Sequence, residues 1–454
     1  MTERLKKAII RLIIDEVTID GEKLKISATI LLPNKIHERE IVKADTPDTF
    51  NAGATLGPVN ETNMTRIWNK HKQLNTTFKP EVFVAMSGGV DSSVAAALLK
   101  KRGFEVVGVH IRCYNVDGCA AEDVEDARRA AESLNIPFYV FDFEEDYKRE
   151  VVEYMVQGYK NGITPNPDVM CNKEIKFGLF LKKALSMGAR YIATGHYARR
   201  AQIKNKKLEI KTHNSKSKNI FTLYQAKDKN KDQSYFLWTL GQEQLRHCIF
   251  PLGDYTKPEV RKLAKKFHLH NSDKKDSQGI CFLGRIQLQD FLGDYIKSRK
   301  GRIELLTGEG RKKIGEHKGI HNYTIGQRRI GVANKVSERV DPKPFYVVSK
   351  DVNKNIVTVA EGNSPYLYKK EIKLKNVNFI NPEHSNILKN VGMSGVDVYA
   401  RVRYRQPLFK TNLQLANSRT YKLIFAFPQK SVAPGQSAVF YTKTGELLGG
   451  GVID

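Results

Sequence analysis

No stretch of this 454-residue chain approaches the roughly 18 consecutive apolar residues that a membrane-spanning helix requires. A spanning protein is excluded as a reading, and no membrane partner is expected. Cysteine is scarce: five residues, at 113, 119, 171, 248 and 281, are scattered over the whole length, too few for a disulfide scaffold. A cytoplasmic, reducing location fits that usage. No Cys-x-x-Cys pair occurs, and Cys113 and Cys119 have five residues between them, so a zinc site has weak support and neither cysteine receives a role. The amino-terminal string MTERLKKAIIRLIIDEV is basic and apolar but contains Glu3, Asp15 and Glu16 and no small-residue cleavage site. It does not read as a signal or transit peptide, although an organellar address stays open. No period of roughly 20 to 50 residues repeats, which removes solenoids.

Acid is the remaining deficit. Seventy-five Lys and Arg stand against 49 Asp and Glu, a net charge of +26, more cationic than folding needs and of the sign a polyphosphate partner rewards. Nucleic acid leads the partner list, with a merely basic surface as the plain alternative. Hydrophobic residues at 41% and charged residues at 27% fit an ordinary globular protein of about two to four domains.

Residues 1–80 hold AIIRLIIDEVTIDGEKLKISATILLP, two strand-like runs around an Asp-Gly turn, followed by a polar segment. No function attaches to this extension. From 81 to about 198, short β-branched runs alternate with helical periodicity: VFVAM, SVAAALLKKRG, EVVGVHI, DVEDARRAAESLN, PFYVFDF. That order predicts a βαβαβ unit and a parallel sheet covered by helices. Residues 201–220, with six Lys and one Glu, read as an exposed loop or hairpin. Beyond about 284 strands dominate, and the division expected is a catalytic α/β domain over 81–283, a small β-rich domain over 284–363 and a β-barrel over 364–454.

The strongest signal is VFVAMSGGVDSSVAAALLKK at 82–101, a strand running into a Gly-rich turn and then a helix. Gly88 and Gly89 let the backbone turn tightly and approach a phosphate, and the helix beginning near Asp91 offers unpaired N–H groups at its positive end. Ser87, Ser92 and Ser93 can add hydroxyl donors. There is no lysine in this loop, so it is not a Walker A motif. The string S-G-G-x-D-S resembles the PP-loop of the ATP pyrophosphatase superfamily, whose members adenylate a substrate and release pyrophosphate. Adenylation turns a carbonyl oxygen into a leaving group that a sulfur nucleophile can displace, and two cysteines stand in suitable turns. Cys171 lies in TPNPDVMCNKEIKF and Cys281 in KDSQGICFLG, each near lysine, where a thiolate is favoured. Cys248, in the apolar HCIFPL, reads instead as a small buried hydrophobe.

With these strings in order, joined by ATGHYAR, KDQSYFL, FPLGDYTKPEVR, YTIGQR, RVRYRQ and APGQSAVFY, residues 81–454 resemble the bacterial and organellar tRNA-specific 2-thiouridylase family of MnmA/TrmU type. The resemblance implies an adenine nucleotide alpha hydrolase-like PP-loop domain followed by the two β-rich domains. It implies that Ala85, Met86, Ser87, Gly88, Gly89, Val90, Asp91 and Ser92 cradle ATP, used with Mg²⁺, and that Ile111 and Gly195 lie beside the nucleotide. Many members have Met where this chain has Ile111; an apolar contact survives either residue. Asn166, Pro167 and Asp168 would meet the target base. Lys231, Asp232, Gln233, Arg403 and Tyr404 would touch the tRNA, and His196 and Gln436 would matter for its placement.

The activity implied is adenylation of the C2 oxygen of the wobble uridine in tRNA of Lys, Glu and Gln type. Cys281 then carries a persulfide from a sulfur donor, such as a cysteine desulfurase relay, and Cys171 resolves it, leaving a Cys171–Cys281 disulfide. Delivery as free sulfide is the alternative order. From the residues alone, period two in DVYARVRYR predicts Arg401, Arg403 and Arg405 on one strand face, a stripe suited to phosphates. Three other readings stay open: a different PP-loop adenylating enzyme (amidotransferase or lysidine-type synthetase), a non-catalytic RNA-binding protein, and a thiol-disulfide oxidoreductase, which would have no use for the phosphate loop.

Overall fold

The computed structural model describes residues 81–114, 120–203, 219–276, 286–328, 330, 344–417 and 420–454, with the backbone alone of 11–20 and 23–31. Cys119, Cys281, most of the lysine-rich run 201–220 and the rest of the first 80 residues lie outside the described residues. The chain divides into two units, Met1–Thr77 and Phe78–Asp454. In the first, strands β1 (Arg11–Asp20) and β2 (Lys23–Leu31) pair antiparallel with Asp20 opposite Lys23, the hairpin that an Asp-Gly pair between two apolar runs predicts.

In the second unit, VFVA at β3 (Val82–Ala85) is apolar throughout and buried over its first three residues, which suits only the middle of a sheet covered on both faces. It pairs in parallel with β4 (Val106–Arg112) on one side and β6 (Tyr191–Ala193) on the other, and β5 (Phe138–Asp142) lies beyond β4. A hairpin of β7 (Ala198–Ile203) and β8 (Ile220–Gln225) follows, and the short β9 (Cys248–Ile249) completes a five-stranded sheet of order β5-β4-β3-β6-β9. Helix α1 (Val90–Lys101) leaves β3 through the Gly-rich turn, and α2 (Ala120–Ser133) joins β4 to β5. The expected βαβαβ unit is therefore present. Val94, Ala95, Leu98 and Leu99 of α1 pack with Val82, Val84 and Ala130 in one core.

Two β-rich parts follow. Strands β10 (Gly301–Thr307), β11 (Gly310–His317), β12 (Phe345–Asp351) and β13 (Ile356–Glu361) form a sheet of order β11-β10-β13-β12. Then β14 (Tyr368–Phe379), β15 (Val396–Arg401), β16 (Phe409–Leu415), β17 (Tyr421–Lys430), β18 (Ser437–Tyr441) and β19 (Glu446–Ile453) run in the order β14-β17-β16-β15-β18-β19, and β14 also pairs with β19. That extra pairing closes a six-stranded barrel and removes its edges. Its interior reads off the alternation: Tyr421, Leu423 and Phe425 point inward on β17 and Ile372 and Leu374 on β14.

The α/β part and the barrel share backbone hydrogen bonds, since β8 pairs with β19 through Leu223 opposite Leu447. Side chains reinforce the contact: Tyr235 donates to the Ser437 carbonyl at 2.8 Å, Trp238 to the Ser437 hydroxyl at 3.0 Å, and Asn378 to the Trp238 carbonyl at 2.7 Å. At the centre, Arg401 meets Asp232 at 2.9 Å, with side-chain exposures of 5% and 1%. Asp232 also accepts N–H bonds from Ala226 and Gln225, and the Arg401 guanidinium lies 5.0 Å from the centre of the Tyr441 ring.

This arrangement overturns the expected arginine stripe. Strand β15 ends at Arg401, and Arg405 adopts φ +64°, so period two does not extend across the three residues. Arg401 turns inward because the buried Asp232 requires a cation; Arg403 donates to the carbonyls of Ile325 and Ser431. Arg405 alone is exposed, 5.3 Å from the centre of the Tyr404 ring.

Breaking a buried pair on one side leaves an uncompensated charge. Arg401→Met is expected to cost about 3–5 kcal/mol of unfolding free energy in urea titrations, and Asp232→Leu added to it to recover most of that loss.

Candidate active site

The phosphate loop begins where Met86 N–H donates to the Val109 carbonyl at 2.7 Å, still in sheet register. His110, buried beside it on β4, holds the Met86 carbonyl at 3.0 Å. Burial lowers the His110 pKa, so the ring is neutral and its Nδ1–H donates to that carbonyl. The chain then turns at Gly88, φ +75°. A Cβ there would meet the Asp123 carbonyl oxygen at 2.5 Å as well as the strain of that φ. Gly89 caps α1 without a side-chain hydrogen bond, so the first N–H groups of the helix stay available to an anion. Inside the turn, Ser92 Oγ donates to the Gly89 carbonyl at 3.1 Å and accepts from Ser87 N–H at 3.2 Å. Gly195 approaches from the end of β6 so closely that a Cβ would lie 2.8 Å from Ser92 N. Ile111, half-buried, is the penultimate residue of β4 and packs on the core that holds Cys171.

Groups that sequence reasoning did not single out surround this loop. Asn271 is buried and donates to the Gly88 carbonyl at 2.9 Å and to Ser93 Oγ at 3.0 Å. Asp91 accepts from the Tyr197 hydroxyl at 2.8 Å and from Lys257 at 2.8 and 2.9 Å. Lys257 also meets Asp276 at 2.7 Å, and Asp276 in turn binds Lys231 at 2.6 Å and Arg261 at 3.2 Å. Burial alone would raise the Asp276 carboxyl, but hydrogen bonds and charge from Lys231 and Lys257 outweigh it and hold it at about 2.

The second half of the site is the Pro-Asn-Pro-Asp corner. Asn166 caps the short helix α3 (Pro167–Met170), accepting Val169 N–H at 3.2 Å, with Pro167 at its first position. The barrel grips the corner from outside: Gln436 donates to the Thr164 and Pro165 carbonyls at 3.0 and 3.1 Å, and Thr164 N–H donates to the Pro434 carbonyl at 2.8 Å. Asn166, Pro167, Asp168, Tyr404 and Gln436 line one cleft of about 260 Å³ together with Tyr159, Tyr235 and Phe236. The Phe236 and Tyr404 ring centres lie 4.5 Å apart, one from each side of the junction between catalytic part and barrel. Such rings offer stacking faces to an unpaired base.

Cys171 follows α3 directly and opens a π-helical segment, Cys171–Leu179, an irregularity frequent at functional sites. It is 2% exposed, in a core with Met155, Tyr159 and Ile175. Ile286, just beyond the segment that contains Cys281, packs on the same core. Cys248 is buried on β9, where desolvation pushes its thiol far up; it is the small hydrophobe expected.

Three expected contacts change character. Asp232 is 2% exposed and paired with Arg401, so it braces its neighbours instead of facing a ligand. Arg403 is committed to two carbonyls of the barrel–central junction, as above. His196 is buried between Phe177 and Phe250, with ring centres 5.9 and 6.5 Å away, and its Nδ1 is 2.8 Å from the Thr194 hydroxyl. Burial, and then the charge of Lys176, hold its pKa well below 6.5, so it packs as a neutral ring. Gln233 braces the loop end, its Oε1 accepting Tyr197 N–H at 3.0 Å.

A parallel sheet with an anion-binding turn at its first strand, beside a thiol-bearing corner, defines a nucleotide-activating α/β protein of the PP-loop class. Family models described as a tRNA methyl transferase HUP domain, a tRNA methyl transferase PRC-barrel domain and an aminomethyltransferase beta-barrel domain match residues 80–285, 289–361 and 369–453. A tRNA-specific 2-thiouridylase of Geobacillus kaustophilus is 43% identical over 383 residues, 83% of this chain and 96% of that protein. Those of Staphylococcus epidermidis and Streptococcus thermophilus are each 41% identical, over 82% and 83% of this chain and 95% of each relative. The chain belongs to the tRNA-specific 2-thiouridylase family.

His196 gives a pH test. Its folded pKa lies below the unfolded 6.5, so the unfolded chain binds more protons in acid, and the stability difference appears as pH falls below about 6.5. His110, His317 and His321, also lowered chiefly by burial, act with the same sign. Unfolding free energy is expected to fall between pH 7 and 5, and His196→Gln to flatten that slope by up to about 1.4 kcal/mol per pH unit in urea titrations at each pH.

Proposed function

We propose that the chain is an ATP-dependent tRNA 2-thiouridylase acting on the wobble uridine of tRNA of Lys, Glu and Gln type. The observation that carries this reading is the cleft in which Asn166, Pro167 and Asp168, one turn ahead of Cys171, face the Phe236–Tyr404 ring pair under the clamp of Gln436. A base in that cleft must be turned out of its stack, and the paired rings and the corner replace the neighbours it leaves.

In this reading Ala85 through Ser92 bind ATP, with Ile111 and Gly195 beside the nucleotide. The free N–H groups at the start of α1 stabilise charge on the phosphates as the uridine O2 attacks the α-phosphorus and pyrophosphate leaves. Mg²⁺ carried in on the phosphates would neutralise part of their charge; among the described residues no group of three or more His, Cys, Asp or Glu could hold a metal ion. The outer sulfur of a persulfide on Cys281, received from a donor such as a cysteine desulfurase relay, then attacks C2, and AMP departs with the former O2. The Cys171 thiolate attacks Cys281 Sγ, the sulfur–sulfur bond breaks, 2-thiouridine is released and a Cys171–Cys281 disulfide awaits a reductant. Lys231, Tyr404 and the exposed Arg405 serve the RNA, while Asp232, Gln233, Arg403, His196 and Gln436 hold the surfaces it meets. A cytoplasmic setting suits the thiol chemistry, and no described helix is long and apolar enough to cross a membrane.

Cys171→Ala and Cys281→Ala are each expected to abolish 2-thiouridine in mass analysis of tRNA nucleosides while pyrophosphate release with tRNA and ATP persists. Full thiolation by both variants would overturn the reading. Affinity for tRNA is expected to fall at least tenfold between about 50 and 200 mM salt, as phosphate contacts release counterions.

A further inference from the structure

Walker-type phosphate loops carry their own lysine. The loop Ser87–Ser92 has none and places Asp91 in the first turn of α1 instead. A carboxylate there suits the bare helix, but it occupies the positive end that a polyphosphate would use and repels it. The fold meets this conflict from a different helix.

Lys257 is the first residue of α4 (Lys257–Lys266). Thr256 and Glu259 form a capping box around it, Pro258 follows, and its own N–H donates to Asp228 at 2.9 Å. Its position is thus set by backbone geometry and not by a freely chosen side-chain conformation. Its side chain is 11% exposed, and the ammonium reaches both oxygens of Asp91 and one of Asp276. The Tyr197 hydroxyl adds a third hydrogen bond to Asp91. With Lys231 and Arg261 on Asp276 and Asp228 accepting the Lys257 N–H, the cluster sets three cations against three carboxylates. Asp91 therefore faces the loop as half of an ion pair and not as a bare carboxylate.

We propose that Lys257 is the positioning residue that makes this lysine-free loop competent for ATP: it neutralises Asp91 from outside the loop and, through Asp276, locks the first turn of α1 to Lys231. The proposal rests on the reading that Ser87–Ser92 binds ATP phosphates and is independent of the thiol chemistry.

The test is ATP binding to the full chain by calorimetry in EDTA, so that no divalent ion bridges Asp91 and the phosphates. Lys257→Met is expected to weaken ATP binding at least tenfold and Lys257→Arg by no more than about threefold, with tRNA affinity changing less than ATP affinity in both. In the Asp91→Asn background, where no carboxylate needs neutralising, Lys257→Met should cost no more than about threefold. That comparison also serves if Lys257→Met alone does not fold. A merely structural lysine would cost the same in both backgrounds; a tenfold loss in the Asp91→Asn background overturns the proposal. So does unchanged ATP affinity in folded Lys257→Met, or a wild type that binds no ATP. A wild type that binds ATP with this pattern yet makes no 2-thiouridine would remove the thiolation reading and leave this one standing.

Discussion

Asp232 and Arg401 meet where the catalytic part and the barrel touch, and both are almost completely withdrawn from water. A carboxylate in such a place is stable only if a cation and hydrogen-bond donors come with it. Those donors are supplied by Arg401 from β15 and by the backbone and side chain around Gln225. The requirement fixes the loop 228–236 against the barrel, and with it the ring pair Phe236–Tyr404, which takes one member from each side. The pairing acts together with the Tyr235 and Trp238 hydrogen bonds to Ser437 to set the spacing of the cleft's two walls. The β8–β19 ladder sets direction, but it does not reach the rings.

The same rule organises the other end of that loop. Lys231, the neighbour of Asp232, is bound to Asp276, Asp276 to Lys257, and Lys257 to Asp91 at the phosphate loop. Half-buried and buried charges thus run from the anion site to the motif that adjoins the barrel. Exposed pairs of this kind would contribute little; here partial burial makes an unpaired member costly, so the alternatives to this one arrangement are disfavoured.

How much of this the sequence carries depends on the range of the interaction. The βαβαβ series, the anion turn and the barrel alternation are local patterns of period two or 3.6, and Gly88, Ser92 and Gly195 stand where the strings place them. The arginine stripe failed because period two assumes that the strand continues, and a buried Asp232, 169 residues away in sequence, draws Arg401 inward. Tyr235 and Phe236 lay inside a quoted string, KDQSYFL, but only the tertiary contact with Tyr404 makes them a wall. Lys257 also lay inside a quoted string, FPLGDYTKPEVR; its partner Asp91 is 166 residues distant, and no spacing rule connects them.

The cleft's construction bears on substrate choice. Its floor, the corner at Asn166–Asp168, belongs to the α/β part, yet its carbonyls at 164 and 165 are held by Gln436 of the barrel, and Thr164 touches Thr324, between β11 and β12 of the central part, at 3.4 Å. All three parts of the second unit therefore converge on one turn of backbone. A free nucleoside would need only the floor and the rings. An RNA that reaches the barrel and the central sheet at once can use that wider contact to hold the base against the corner, and binding energy from remote contacts is what pays for extruding a base from its stack.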